Sequence, residues 1–182
     1  MSEIPAHRVL PLFQADAIAA RVDEMAADLA RAVPKDVTVV ALLKGAFVFT
    51  ADLVRALDRH GLTPEVEFLQ VSSYGLGTAS SGKVKVIGAM PDSVGGRDVL
   101  LVDDIQDTAR TLAWTRDLLV SHGANSVRTC ALLDKPSRRQ VPFEADHIGF
   151  TIEDWFVVGY GIDWAERYRH LSWIGRVEFD QA

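Results

Sequence analysis

An α/β fold with a mostly parallel central sheet flanked by helices is predicted by two strand–turn–helix passages and by the length of the chain. In the first passage Val37–Leu43 (VTVVALL) is a short β-branched run, followed by Lys44-Gly45 and an amphipathic segment with Phe49, Leu53, Val54 and Leu57 that ends near Gly61. In the second, four consecutive apolar residues, Val99 to Val102, follow the Gly95-Gly96 turn signal and suit a strand covered on both faces. They run into Asp103-Asp104 and a small-residue turn, after which Leu112–Ser121 has helical spacing. Strand, turn and helix alternate as in βαβ units. A chain of 182 residues suits one domain, large enough to bury a substantial core without disulfides.

The remaining elements follow in order. Asp16 is positioned to cap a first helix in which Ile18, Val22, Met25 and Leu29 share a face, with Pro34 at its end. Val66–Val71 is a further strand, and Val84–Ile87, within KVKVI, alternates like a half-exposed one. Between them Ser72–Gly82 is polar, small and glycine-containing, the composition of a mobile loop or a long hairpin tip. Val127–Leu133, Ile148–Ile152 and Phe156–Ile162 read as strands, and a final apolar run covers Trp173–Val177. No internal repeat, linker or low-complexity tract interrupts them.

Composition narrows the class. Hydrophobic residues make up 48% of the chain and charged residues 24%, as in ordinary soluble domains. The formal net charge of −6 argues against a general nucleic-acid binder, which needs a basic face. No run approaches the roughly 20 apolar residues that span a bilayer, and MSEIPAHRVL lacks the basic and apolar regions of a secretion signal. A cytoplasmic protein without membrane or nucleic-acid partners is therefore expected. The single cysteine, Cys130, lies in the apolar run VRTCALL and reads as a core thiol rather than a catalytic one. His7, His60, His122, His147 and His170 show no local metal spacing, so a zinc site is not expected.

Several segments carry chemistry. Asp103, Asp104 and Asp107 lie where open α/β sheets place their ligands, although acids also cap ordinary βα turns. Thr108-Ala109-Arg110-Thr111 offers hydroxyls and backbone amides ahead of a helix, a ready anion site. Gly77–Lys83 fits the first seven positions of a Walker A loop. That match is rejected, because Val84 stands where a Ser or Thr must bind magnesium and an alternating segment follows instead of a helix. Lys44 in Leu43-Lys44-Gly45 would be equally normal as a surface residue. Lys135, in LLDKPSRR, has three donors and no acceptor, and so favours a keto oxygen over an amino group. A solvent-exposed basic turn suffices for Arg138 and Arg139. By periodicity alone Trp155–Trp164 (WFVVGYGIDW) is a buried strand.

Taken together, these segments resemble the type I phosphoribosyltransferases, and among them the hypoxanthine–guanine enzymes, from Val37 to Val177 and in the family's order. Val99–Thr111 is similar to their signature for phosphoribosyl diphosphate (PRPP), a hydrophobic strand followed by two acids, two variable residues and Asp-Thr-Gly-x-Thr, with Ala109 at the glycine. If that glycine supplies a positive φ, alanine costs of order 1 kcal/mol; if it need only be small, alanine fits. The resemblance implies a type I phosphoribosyltransferase fold in a single domain, 1–182, with a core of about 37–150. It also implies a small hood from the N-terminal segment and about 151–182.

The implied roles are specific. Asp103 and Asp104 hold the ribose hydroxyls and Mg²⁺, and Asp107 is the general base. Thr108, Ala109, Arg110 and Thr111 cradle the 5′-phosphate. Leu43, Lys44 and Gly45, with a cis Leu43–Lys44 bond, bind pyrophosphate together with Arg169. Lys135 reads the 6-oxo group, Phe156 stacks on the purine and Val157 offers main-chain groups. Asp163 joins in metal or base binding, and Ser73-Tyr74 opens a flexible catalytic loop. The implied reaction transfers phosphoribosyl from PRPP to hypoxanthine or guanine in a dimer or tetramer. A xanthine-preferring transferase and a nucleotide-sensing regulator on the same fold are the alternatives.

Overall fold

The computed structural model describes residues 5–73 and 84–179. Tyr74, the Gly77–Lys83 match and most of the Ser72–Gly82 stretch lie outside the described residues. The chain runs β1 (His7–Phe13), α1 (Ala15–Ala32), β2 (Thr38–Leu43), α2 (Phe47–Arg59), β3 (Glu65–Ser73) and β4 (Val84–Ile87). It continues through β5 (Asp98–Gln106), α3 (Arg110–Ser121), β6 (Ser126–Asp134), β7 (His147–Thr151), β8 (Val157–Val158) and β9 (Ile174–Phe179). Six strands form the main sheet in the order β4-β3-β2-β5-β6-β7, and only β4 runs antiparallel to its neighbour. β1, β9 and β8 form a small antiparallel sheet from the two ends of the chain. Val84 opens a strand, which removes the helix that a Walker loop requires.

The period of two in the central strands builds two cores. Val39, Leu100 and Val102 join Ile18, Val22, Met25 and Leu29 of α1 and Phe49, Leu53 and Leu57 of α2 on one face. Val40, Leu42, Val99 and Leu101 join Leu112 and Leu119 of α3 on the other. Strands buried on both faces carry continuous apolar runs for this reason. Cys130 is among the buried residues of the first face, and burial pushes its thiol up to about 12, which suits packing and not nucleophilic work.

Four sequence readings need correction. Asp16 does not cap α1; the cap position is Gln14, and Asp16 lies in the first turn, its Oδ1 accepting from the Ala17 N–H at 2.8 Å. There its charge complements the positive end of the helix. β5 does not stop at Val102 but pairs with β6 through Gln106, because hydrogen bonding to a neighbour needs no apolar side chain. Phe156–Ile162 is not one strand. Only Val157 and Val158 pair with β9; Gly159, Tyr160 and Gly161 then take positive φ, and Gly159 and Ile162 close a tight turn by exchanging N–H···O bonds. Finally, His7–Phe13 is a strand that the pattern does not announce, since Pro11 interrupts it. It is tolerated because β1 is an edge, with its register shifting between Pro11 and Phe13.

Ala109, just before α3, adopts φ 64° and ψ −1° and is buried. The left-handed conformation costs an alanine about 1 kcal/mol. Glycine would relieve that but would lose a buried methyl worth about 0.8 kcal/mol and gain unfolded-chain entropy worth about 0.4–1 kcal/mol. The terms nearly cancel, so Ala109→Gly is expected to shift stability by less than about 1 kcal/mol, whereas Ala109→Val, β-branched at positive φ, costs about 2 kcal/mol or more. Chemical denaturation of the two variants measures this, and equal effects would remove the backbone argument.

Candidate active site

The parallel register of the sheet brings four segments to the carboxyl edge of β2, β5 and β6, where α/β sheets collect their ligands. β2 stops pairing with β5 at Ala41–Val102, whereas β5 and β6 stay paired to Gln106–Asp134. The last four residues of β5 therefore face the turn that leaves β2. That turn contains a cis Leu43–Lys44 bond, and Gly45 follows directly against the Asp104 side chain. A Cβ at Gly45 would lie well inside contact distance of Asp104 Oδ2, and one at Gly161 would collide with the Gly45 carbonyl oxygen. Two glycines thus let the C-terminal turn stack on the β2 turn, and the β2 turn on the acid.

Asp103 and Asp104 stand side by side at this edge. Burial raises the Asp103 carboxyl well above the usual range, and the neighbouring Asp104 charge adds to it. Burial also raises Asp104, offset by hydrogen bonds from Asp103 and the backbone and by the charge of Arg169. The Asp104 N–H donates to Asp103 Oδ1 at 3.0 Å and the Ile105 N–H to Asp104 Oδ1 at 2.9 Å. Two adjacent, destabilised carboxylates beside a backbone cradle fit a hard cation, and Mg²⁺ is characteristically held by one or two carboxylates plus substrate oxygens. Among the described residues no group of three or more His, Cys, Asp or Glu side chains is arranged around a common metal position. Asp163 is engaged elsewhere: its Oδ1 meets Arg169 at 2.8 Å and its Oδ2 accepts from the Glu166 N–H at 2.8 Å.

The turn 107–111 presents the N-terminus of α3. The N-cap residue, Ala109, makes no side-chain hydrogen bond to the first-turn amides and no acid lies in that turn, so the amides and the helix dipole suit an anion. The Thr108 hydroxyl accepts from the Arg110 N–H at 3.4 Å. Asp107 Oδ1 meets Arg138 Nε at 3.3 Å. Arg139, expected as surface, is 19% exposed. Its Nη1 donates to the carbonyls of Asp107 (2.8 Å), Gln106 (3.0 Å) and Lys135 (3.2 Å), and its Nη2 to Asp134. The guanidinium is drawn inward because carbonyls converge where the two parallel strands end: those of Gln106 and Lys135 each accept one backbone N–H and keep a lone pair for Arg139, which also serves Asp107.

Lys135 is buried at the end of β6, its N–H donating to the Gln106 carbonyl at 3.0 Å. Its ammonium faces Asp154 at 3.8 Å, and Asp154 also faces Arg138 at 3.6 Å. Phe156 is 42% exposed, with Trp164 edge-on at 5.4 Å and Phe179 stacked at 6.5 Å. Val157 lies in β8, paired with Arg176. Ser73 ends β3.

At the other side of the acids, Arg169 donates to the Gly161 carbonyl at 2.8 Å and meets both Asp163 and Glu166. Lys44 Nζ meets the second Glu166 oxygen at 3.0 Å. The sequence pattern marks neither Asp154 nor Glu166, because an acid in a polar loop carries no periodic signal. Both lay close to residues already singled out, Asp154 directly before the run Trp155–Trp164 and Glu166 in Glu166-Arg167-Tyr168-Arg169.

The acid pair has a consequence for stability. Aspartate in an unfolded chain has a pKa near 3.9, and the folded Asp103 is raised above it. The folded state is therefore favoured at low pH and loses stability as pH rises from about 3.9 through the raised value. At pH 7 and without metal, Asp103→Asn should raise Tm by on the order of 3 °C, and the gain should shrink toward pH 4. Scanning calorimetry at both pH values checks this, and an unchanged or lower Tm at pH 7 would contradict it.

Comparison with known proteins agrees with this geometry. The family described as "Phosphoribosyl transferase domain" matches residues 10–165. The hypoxanthine-guanine phosphoribosyltransferase of Aquifex aeolicus is 44% identical over 180 residues, covering 98% of this chain and 99% of that protein. The hypoxanthine phosphoribosyltransferase of Escherichia coli is 46% identical over 142 residues, 78% of each chain. The structure of a hypoxanthine-guanine phosphoribosyltransferase from Bacillus anthracis superposes with a TM-score of 0.85 at 35% identity, covering 95% of this chain and all of that one. A cis Leu-Lys turn seated on an acid pair, an unblocked helix N-terminus and a buried lysine thus lie on a scaffold shared over nearly its whole length with these enzymes, and the chain belongs to the hypoxanthine–guanine branch of the type I phosphoribosyltransferases.

Proposed function

We propose that this protein transfers the 5-phosphoribosyl group of PRPP to N9 of hypoxanthine or guanine, giving IMP or GMP and pyrophosphate. The observation that carries the reading is the meeting at one sheet edge of the Asp103–Asp104 pair, the α3 N-terminus and the buried Lys135. An anionic sugar phosphate and a keto-bearing base are the ligands that such neighbours complement.

In the reaction the bond from C1′ to the pyrophosphate oxygen breaks and the N9–C1′ bond forms, while the proton on purine N7 leaves. Asp107 accepts that proton, assistance typically worth 10² to 10⁴ in rate. Thr108 to Thr111 hold the 5′-phosphate through backbone amides and hydroxyls. Asp103 and Asp104 hold the ribose hydroxyls and would carry Mg²⁺, which when bound offsets charge on the pyrophosphate oxygens. Lys44, the Gly45 turn and Arg169 stabilise the departing anion. Lys135 donates to the 6-oxo group; adenine would bring a donor against it. Phe156 stacks on the base and Val157 presents main-chain groups to its edge. Ser73-Tyr74 begins the segment that shields the reacting sugar from water, where a ribosyl cation would be hydrolysed. The three-stranded sheet of the chain ends serves as a hood over the core, and the enzyme works as a cytoplasmic homo-oligomer of two or four copies.

The direct test offers hypoxanthine, guanine, xanthine and adenine separately with PRPP and Mg²⁺ and follows nucleotide formation. Conversion of hypoxanthine or guanine without adenine is the expected result; xanthine alone would shift the substrate, and no conversion would favour a binding role. Lys135→Gln should lower kcat/KM for 6-oxopurines by about 10- to 100-fold, in line with a charged hydrogen bond, and unchanged selectivity would take Lys135 out of base recognition. Asp107→Asn should lower kcat by 10² or more with PRPP binding largely intact; wild-type turnover would end its role as base.

A further inference from the structure

Glu166 is an acid in a place where the reading above needs positive charge. It lies in the cavity of about 510 Å³ lined by Leu43, Lys44, Phe47, Phe68, Glu166 and Arg169. One carboxylate oxygen meets Lys44 Nζ at 3.0 Å and the other meets Arg169 Nη2 at 3.1 Å, so a single carboxylate bridges both cations assigned to pyrophosphate. Its backbone is held for this purpose: Glu166 adopts φ 64°, and its N–H is anchored on Asp163 Oδ2 at 2.8 Å. Hydrogen bonds from Lys44 and then Arg169 keep its carboxyl below the usual range, so it is charged at neutral pH.

From this geometry we propose that Glu166 occupies the pyrophosphate position of the ligand-free protein and is displaced by the incoming anion. It is a positioning residue that sets how tightly pyrophosphate is held, and it rests on the assignment of Lys44 and Arg169 to that anion. A carboxylate spanning two cations reproduces the oxygens of a phosphate group. It keeps Lys44 and Arg169 oriented while the site is empty, and it returns when product must leave. The Glu166 side chain is 64% exposed in both pairs, against Lys44 at 54% and Arg169 at 18%, so the competitor itself stays solvated and is weak enough for a polyanion with magnesium to displace. Residual repulsion from the displaced carboxylate favours release.

The test is calorimetric titration of inorganic pyrophosphate with Mg²⁺ into the wild-type protein, Glu166→Gln, Glu166→Ala and Glu24→Gln. The last makes the same change of net charge on α1, where Glu24 pairs with Arg21. Both Glu166 variants should bind pyrophosphate about 3- to 10-fold tighter and show stronger product inhibition, with a lower KM for PRPP. Glu24→Gln should match the wild type, and the gain at Glu166 should shrink in high salt. Equal or weaker binding by the Glu166 variants would overturn the proposal, since Glu166 would then organise the cations without competing for them. Absence of binding by every variant and by the wild type would overturn the pyrophosphate assignment itself.

Discussion

The site depends on an offset between neighbouring strands. β5 continues to pair with β6 four residues after its pairing with β2 has ended at Val102. Had β2 kept pace, its backbone would lie alongside Asp103 to Gln106 and the edge would be closed ladder. Because it turns away at Leu43, Gly45 comes to rest against the Asp104 carboxylate and Gly161 against Gly45. Each contact requires the lack of a side chain, so the stack of three segments is fixed by two glycines and one acid rather than by apolar packing.

The offset also sorts the charges. Asp103 and Asp104 are held in a buried position where ionisation is disfavoured, while Lys44 and Arg169, a short distance along the same edge, are neutralised by Glu166 and Asp163. Among the described residues the acid half is left without a paired cation, whereas the basic half is held by exchangeable ion pairs. The ligand proposed above, a magnesium-bearing polyanion, would place a cation at the acids and an anion at the lysine and arginine. In a chain with net charge −6, attraction for such a ligand must come from local arrangement and not from the overall field.

Much of this was legible in the sequence wherever structure follows from local pattern. The apolar runs of β2 and β5, the amphipathic faces of α1 and α2 and the turn Asp107–Thr111 announce themselves through periodicity and small residues. Ala109 was legible as a question, and its left-handed φ of 64° answers it. β1 was hidden by Pro11, which is harmless only because the strand is an edge, a fact that lives in the pairing and not in the pattern. The turn at Gly159–Gly161 was masked by the apolar residues around it. Asp154 and Glu166 were illegible for another reason: their partners Lys135 and Lys44 lie 19 and 122 residues away, and nothing in a polar loop foretells such a meeting.

Arg139 shows the same limit from the side of rigidity. In sequence it is the second of two arginines in a basic turn; in the fold its Nη1, with two hydrogens, serves the carbonyls of Gln106, Asp107 and Lys135, and its Nη2 holds Asp134. Three acceptors sharing two hydrogens make a fork that no shorter or more flexible cation reproduces. The backbone of the proposed proton acceptor and that of the proposed base reader are thereby fixed to one planar group. A proton acceptor aimed at purine N7 and an ammonium aimed at the 6-oxo group must keep their separation to within a fraction of an ångström to act on one ring. Parallel strands alone would not ensure this: their paired residues end at Gln106 and Asp134, and of the two residues that follow, Lys135 keeps a backbone bond to the Gln106 carbonyl while Asp107 lies beyond the pairing. The guanidinium carries the register of the sheet across that last residue into the loops.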